Sequence, residues 1–326
     1  MIVADHWAEA KQTLKHDGRQ VTLRRFGWSD ESQDAAAIHA EQRLYAAVEA
    51  WLQGDTGLHR RERKVPYNGA DGLPIREQIV SRHGDTVITR NSYGALCLNT
   101  PDVLFADLDD QMEAPAGLAL AIWIAGISAA LVIGIGRGSV AAFAVVAVLA
   151  TLLAVPLAVT LQRLAVALRG GPRKQAWRRL EALSRSRPDW HLRVYATPAG
   201  LRVLAMHGTF EADSEPVRAL FRGLGVDPTY ATMCRRQRCF RARLTAKPWR
   251  IGIHDSLRPR PGVWPVAAEH LPRRAAWVRD YEARAQGFAA CRFERALGSD
   301  RIDPKADQVR ELHDRLCRAD SSLPLA

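Results

Sequence analysis

The sequence predicts an α+β fold, antiparallel strands with helices, interrupted by a helical hairpin apolar enough to cross a bilayer. Three observations predict it. Residues 115–168 hold two charged side chains, Arg137 and Arg163, in 54 positions. Short apolar runs with period-two alternation recur on both sides of that segment, and apolar residues between them recur at helical spacing behind capping residues. The 326 residues thus divide into an N-terminal part, 1–114, an apolar segment, 115–168, and a C-terminal part, 169–326. The flanks are long enough to bury a core.

In the N-terminal part, Trp28-Ser29-Asp30-Glu31 opens a helix with Ser29 as its cap. Ala37, Ala40, Leu44, Val48, Trp51 and Leu52 follow at helical spacing until Gly54. Arg60-Arg61-Glu62-Arg63-Lys64 and the turn-rich YNGADGLP read as a solvated loop. Two strand-like runs come next, Thr86 to Thr89 continuing through Tyr93 to Leu98, and Val103 to Asp109. Asn99-Thr100-Pro101-Asp102 separates them in a hairpin pattern. Alternation places Asp107 and Asp109 on one face at the end of the second run. Two carboxylates so spaced suit a hard divalent cation, and they also suit a strand running into a polar loop.

The apolar segment contains two spans, 115–135 and 140–161, joined by Gly136-Arg137-Gly138-Ser139. At 1.5 Å per residue each covers a hydrocarbon core of about 30 Å, and so short a turn makes them antiparallel. Arg163, Arg169, Arg173, Lys174, Arg178 and Arg179 crowd the exit of the second span, against Arg137 alone in the turn. The expected location is therefore the cytoplasmic (inner) membrane, with the bilayer as partner and both termini cytoplasmic. The opening MIVADHWAEAKQ has no basic stretch leading into an apolar one, so no signal peptide is expected.

The net charge of +11 is uneven, −5 over residues 1–114 and +14 over residues 169–326. Such a basic surplus suits a nucleic-acid backbone, a nucleotide phosphate or an anionic leaflet. Five widely spaced cysteines are expected to be reduced thiols. Cys234 and Cys239 stand wider apart than a zinc knuckle, with no second pair beside them.

The C-terminal part reads as a basic helix over Arg173 to Arg187, then two strands around Pro198-Ala199-Gly200. The second strand carries Leu201, Val203, Ala205 and His207 on one face. A helix over Asp213 to Gly225, another from Asp227-Pro228 to Cys234, and a strand from Cys239 to Leu244 with its arginines on one face follow. Helices around Arg273 to Ala285 and Asp303 to Arg318 complete the chain beyond the Pro-rich RPRPGVWP. Walker A, dinucleotide-binding, zincin and serine-hydrolase motifs are absent.

A hairpin ending in VLFADLD, a helix, a hairpin ending in LAMH, another helix and an arginine-bearing strand resemble the RRM-like palm of archaeo-eukaryotic primase-polymerases. The resemblance covers roughly residues 86–255 around the apolar insertion. It implies a palm-type antiparallel sheet, with Asp107 and Asp109 holding Mg or Mn, His207 beside a nucleotide, and a third acid for which Asp255, after WRIGIH, is the candidate. Ala205 stands where that family has Ser, Thr or Gly. The whole chain also resembles a group of bacterial two-helix membrane proteins without assigned activity.

Three functions remain open at this point. One is a membrane-tethered, metal-dependent nucleotidyltransferase using Asp107, Asp109 and His207. Another is a non-catalytic module binding nucleotide or nucleic acid through Arg241, Arg243 and Arg250. The third is a bilayer-bound scaffold whose acids and arginines pair with one another.

Overall fold

The computed structural model describes residues 3–16, 18–55, 57–58, 73–110, 116–168, 170–260 and 264–326. The basic run Arg60–Lys64, most of YNGADGLP, Pro115, Arg169 and part of RPRPGVWP lie outside the described residues.

The chain opens with a long hairpin, β1 (His6–His16) and β2 (Arg19–Ser29), covered by α1 (Gln33–Leu52). Val21 and Leu23 on β2 pack against Leu44 and Ala47 of α1. Helix α1 starts later than Ser29. The Ser32 side chain accepts from the Ala35 N–H at 3.0 Å and caps it, whereas Ser29 Oγ accepts from Glu31 N–H in the turn before.

The remaining strands form two four-stranded antiparallel sheets. The first has the order β3 (Gln78–His83), β4 (Thr86–Arg90), β5 (Leu96–Thr100), β9 (Phe240–Arg243). The second has the order β10 (Arg292–Gly298), β7 (His191–Thr197), β8 (Gly200–Ala205), β6 (Phe105–Asp109). The fold is therefore α+β, but the expected hairpin joining residues 86–98 to 103–109 is not formed. Strands β5 and β6 belong to different sheets because Phe105, Ala106 and Leu108 are buried on both faces of β6, and β8, buried along its whole length, supplies the partner.

The pairing of β6 with β8 closes one sheet across the apolar insertion. Asp107 lies opposite Arg202 and Asp109 opposite Gly200. A Cβ added at Gly200 would stand 2.0 Å from the Leu108 carbonyl oxygen, so only glycine allows this approach. Gly200→Ala should lower stability by about 1–3 kcal/mol through overpacking against backbone, read as a fall in melting temperature. An unchanged melt would show that β6 can move aside at no cost.

The insertion is α2 (Ala116–Arg137) and α3 (Val140–Leu168), antiparallel and turning at Gly138 and Ser139. Helix α3 runs past the expected end at residue 161. Gly126 faces Ala150 and Gly134 faces Phe143, and Trp123 Nε1–H donates to Thr151 Oγ1 at 3.1 Å. Both helices are long and apolar enough to cross a membrane. Only 11% and 6% of their most apolar stretches are buried within the chain, whereas a soluble core helix would be buried on its apolar face.

Helix α4 (Gly171–Ser186) leads back to β7. Helices α5 (Glu215–Leu224) and α6 (Pro228–Gln237) bridge from β8 to β9, and α7 (Leu271–Ala285) and α8 (Pro304–Cys317) flank β10. The main core joins both sheets: Ile88 and Leu98 from one, Leu104, Phe105, Val194 and Leu204 from the other.

Candidate functional site: an acid- and cation-lined cleft between the sheets

The two sheets are stitched by polar side chains at one end of β6. Tyr230 on α6 donates its hydroxyl to the Phe105 carbonyl at 2.9 Å and accepts from the Arg241 N–H at 3.3 Å. Arg202, opposite Asp107, donates from Nη1 to the Arg243 carbonyl at 2.8 Å. Above these bonds opens a cleft of about 320 Å³, lined by Asp107, Asp109 and Asp227 on one side and by Arg241, Arg243 and Lys247 on the other.

Asp107 is held by a forked arginine. Arg202 Nε–H reaches Oδ1 at 2.7 Å and Nη2–H reaches Oδ2 at 3.0 Å, while Arg202 itself is 3% exposed. Burial alone would depress the Arg202 pKa, but the Asp107 charge and hydrogen bonds, with Cys291 and Cys317 adding to them, raise it and keep the guanidinium charged.

Asp109, at the exposed strand end, has a raised pKa, first through lost hydration and then through the neighbouring Asp107 and Asp227 charges, with Lys247 and Arg202 opposing. Asp227 comes close because its backbone N–H donates to the Asp107 carbonyl at 3.2 Å. Its Oδ1 caps α6 by accepting from Thr229 N–H at 2.9 Å.

Opposite these acids the cations differ in kind. Arg241 is not available to a ligand as expected, because both Glu77 oxygens accept from its Nη2, at 2.8 and 2.6 Å, with the two side chains 3% and 4% exposed. Thr89 Oγ1–H adds a third bond to Glu77 at 2.7 Å. Arg243 lines the cleft and donates from Nη1 to the Thr245 and Ala326 carbonyls. Lys247 has no carboxylate within 4 Å among the described residues; its ammonium stands 5.5 Å from the Trp249 ring. Its pKa is lowered, by burial first and then by Arg243 and Arg250. Arg250 falls outside the cleft lining, though Arg243 and Asp109 both act on its charge.

Two expected site residues lie elsewhere. His207 is buried against Trp190 and Phe210, with ring centroids 4.4 and 5.4 Å away, and its Nδ1 is 3.3 Å from the His191 backbone nitrogen. Antiparallel neighbours end at opposite edges of a sheet, so a histidine closing β8 cannot meet acids closing β6. The run from Gly200 to Ala205 alone separates them by roughly 16 Å. Asp255 is exposed and lines a neighbouring depression with Trp249 and Arg260, its carbonyl accepting from Trp277 Nε1–H. Asp227, rather than Asp255, joins Asp107 and Asp109 in the cleft lining, beside the Glu77 that pairs with Arg241.

No family model, curated protein or solved structure matches the chain. Its function has to be argued from the cleft. Sequence reasoning missed Glu77, Arg202, Asp227 and Lys247. Arg202 had a visible signal, a lone charge between Leu201 and Val203 on a strand otherwise apolar; Asp227 was read as a helix start without its carboxylate being counted.

Proposed function

We propose that this is a membrane-anchored protein whose cleft binds a phosphate-bearing ligand, a nucleotide in the first instance, together with a divalent cation. The observation that carries the reading is Lys247: a partly buried ammonium beside Arg243, lacking a carboxylate partner among the described residues and facing three acids across an open cleft. A phosphate supplies the anion that this cation lacks, and Mg2+ or Mn2+ bridges phosphate oxygens to carboxylates. Asp109 and Asp227 are the acids for that cation, because Arg202 already holds both oxygens of Asp107. Asp107 then fixes the wall of the cleft. The resemblance to primase-polymerases supports the same ligand class, while the remote position of His207 favours binding over nucleotidyl transfer. The α2–α3 hairpin anchors the cleft-bearing part to the bilayer, and the arginines and Lys174 after α3 favour cytoplasmic termini.

The test is Mn2+ binding by the detergent-solubilised full chain with and without nucleoside triphosphate. Each should tighten the other at least about tenfold, a coupling of about 1.4 kcal/mol. Lys247→Ala should weaken triphosphate binding, and Asp109→Asn should abolish the coupling without lowering the melting temperature. The sign follows from the raised pKa: the folded state prefers protonated Asp109, so the charged form opposes folding near neutrality. That penalty fades as pH falls from the raised pKa toward the ordinary carboxylate value, and below that value the wild type and Asp109→Asn should melt alike. Triphosphate binding indifferent to Mn2+ and to both substitutions would remove the reading. Pyrophosphate release on adding a primer would mark the protein as a transferase.

A further inference from the structure

We propose that Cys291, His313 and Cys317 form a buried site for a thiolate-preferring divalent metal, zinc foremost, behind the cleft. The proposal stands independently of what the cleft binds. Among the described residues these three are the one group of potential ligands whose donor atoms all lie within 4.8 Å of one another. His313 and Cys317 sit at i and i+4 on α8 and share a face. Cys291 enters from the residue before β10, held in place by the Ala290 N–H donating to the Cys317 carbonyl at 3.0 Å.

The spacing fits the ion. With Zn–S near 2.3 Å and Zn–N near 2.0–2.1 Å, ligand atoms of a tetrahedral site stand about 3.5–3.8 Å apart. Cys291 Sγ and His313 Nε2 are 3.8 Å apart. Three protein ligands leave one tetrahedral position open; the Arg243 carbonyl oxygen, 3.6 Å from Cys317 Sγ, is already an acceptor for Arg202 Nη1 at 2.8 Å.

The histidine is oriented for the role. His313 Nδ1 lies 2.9 Å from Asp314 Oδ1, and a carboxylate can only accept, so Nδ1 carries the proton and Nε2, on the side of the thiols, is the nitrogen left for a metal. A carboxylate behind a ligating imidazole is the arrangement that fixes tautomer and ring angle at metal sites. Arg193 Nη2–H holds the other Asp314 oxygen at 3.0 Å. Arg202 Nη1 also approaches Nε2, at 3.4 Å, but its bonds to Asp107 and to the Arg243 carbonyl are shorter and survive if Nε2 turns to a metal. Two thiolates neutralise a dication, so the buried cluster adds no net charge beside the Asp107–Arg202 pair. Cys291, His313 and Cys317 are all closed off from solvent, so the ion enters as the chain folds.

The experiment uses the full chain purified in detergent from zinc-supplemented cells, without chelator. About one zinc ion per chain is expected. Co2+ added during refolding should give intense thiolate-to-cobalt absorption in the near ultraviolet, and a strong chelator should lower the melting temperature. Cys317→Ser and His313→Gln should lose the metal, whereas Cys234→Ala, another buried thiol, should keep it. If the variants fail to fold, the wild-type zinc content and cobalt spectrum still decide. A metal-free wild type without a cobalt spectrum, or a Cys291–Cys317 disulfide in its peptide map, overturns the proposal and leaves Asp314, His313, Arg202 and Asp107 as a network of protein groups alone.

Discussion

Replacing Glu77 by alanine should destabilise the protein by about 3–5 kcal/mol, the usual consequence of leaving one member of a buried ion pair alone. Glu77 and Arg241 are closed off from water, and the bonds between them are charge-assisted. Loss of the carboxylate also strips Thr89 Oγ1–H of its acceptor, and Thr89 in turn accepts from Asn99 Nδ2–H at 2.9 Å. The damage thus spreads across β4, β5 and β9. Glu77→Gln should cost less, since the amide oxygen still accepts one bond. The double variant Glu77→Leu with Arg241→Met should recover most of the loss, because an apolar pair of similar volume avoids the desolvation of both charges. Thermal melts of the four proteins in one detergent give the comparison. A Glu77→Ala melt within a degree of the wild type would mean that water reaches Arg241.

That pair also shows where sequence reasoning stopped. The alternation Phe240-Arg241-Ala242-Arg243 correctly gave a strand with both arginines on one face, and strand β9 carries them into the cleft. Nothing local could reveal that Glu77, 164 positions earlier, neutralises one of them. The helices α4 to α8 were legible because caps and Pro positions punctuate them, as at Asp227-Pro228 and Asp303-Pro304. Strands β1 and β2 were missed although Asp17-Gly18 is a strong hairpin signal, because their charged residues mask the alternation of Val21 and Leu23. The Asp107–Asp109 pair was found from period two alone. Its neighbours Arg202 and Asp227 needed the register of β6 against β8 and the return of α6 to the strand end.

Chain length ties the cleft to the insertion. Asp109 ends β6 and Ala116 begins α2, so residues 110–115 bridge at most roughly 25 Å. A ligand bound between Asp109 and Lys247 would therefore sit within a few nanometres of the start of α2. If α2 enters a bilayer, the cleft works close to the surface of one leaflet, where α4 carries Arg173, Lys174, Arg178 and Arg179. Arg173 pairs with Glu294 and Arg179 donates to the Leu224 carbonyl, so Lys174 and Arg178 are the cations that suit anionic headgroups, each contributing about 1 kcal/mol near such a surface.

The protein should remain entirely in the membrane pellet after alkaline carbonate washing and leave it only with detergent. Leu131 and Val132 on α2, and Leu152 and Val155 on α3, are more than half exposed within the chain, and nothing else in the described residues covers them. In water these faces would form an apolar patch far beyond what a soluble monomer leaves open. In hydrocarbon they need no cover, and the helical backbone satisfies its own hydrogen bonds. Arginine at Ile124 and at Leu152, both exposed and near the middle of their spans, places a charge on the outward face of each helix, at about 2.5–3.5 kcal/mol apiece near the bilayer centre. The double variant should lose most of its insertion, visible as carbonate-extractable protein, while a control exchange of the same residues to alanine should stay in the pellet. If the hairpin instead docks on a soluble partner, the wild type will move to the supernatant with that partner, and the arginine variants will separate from it without any change in membrane content.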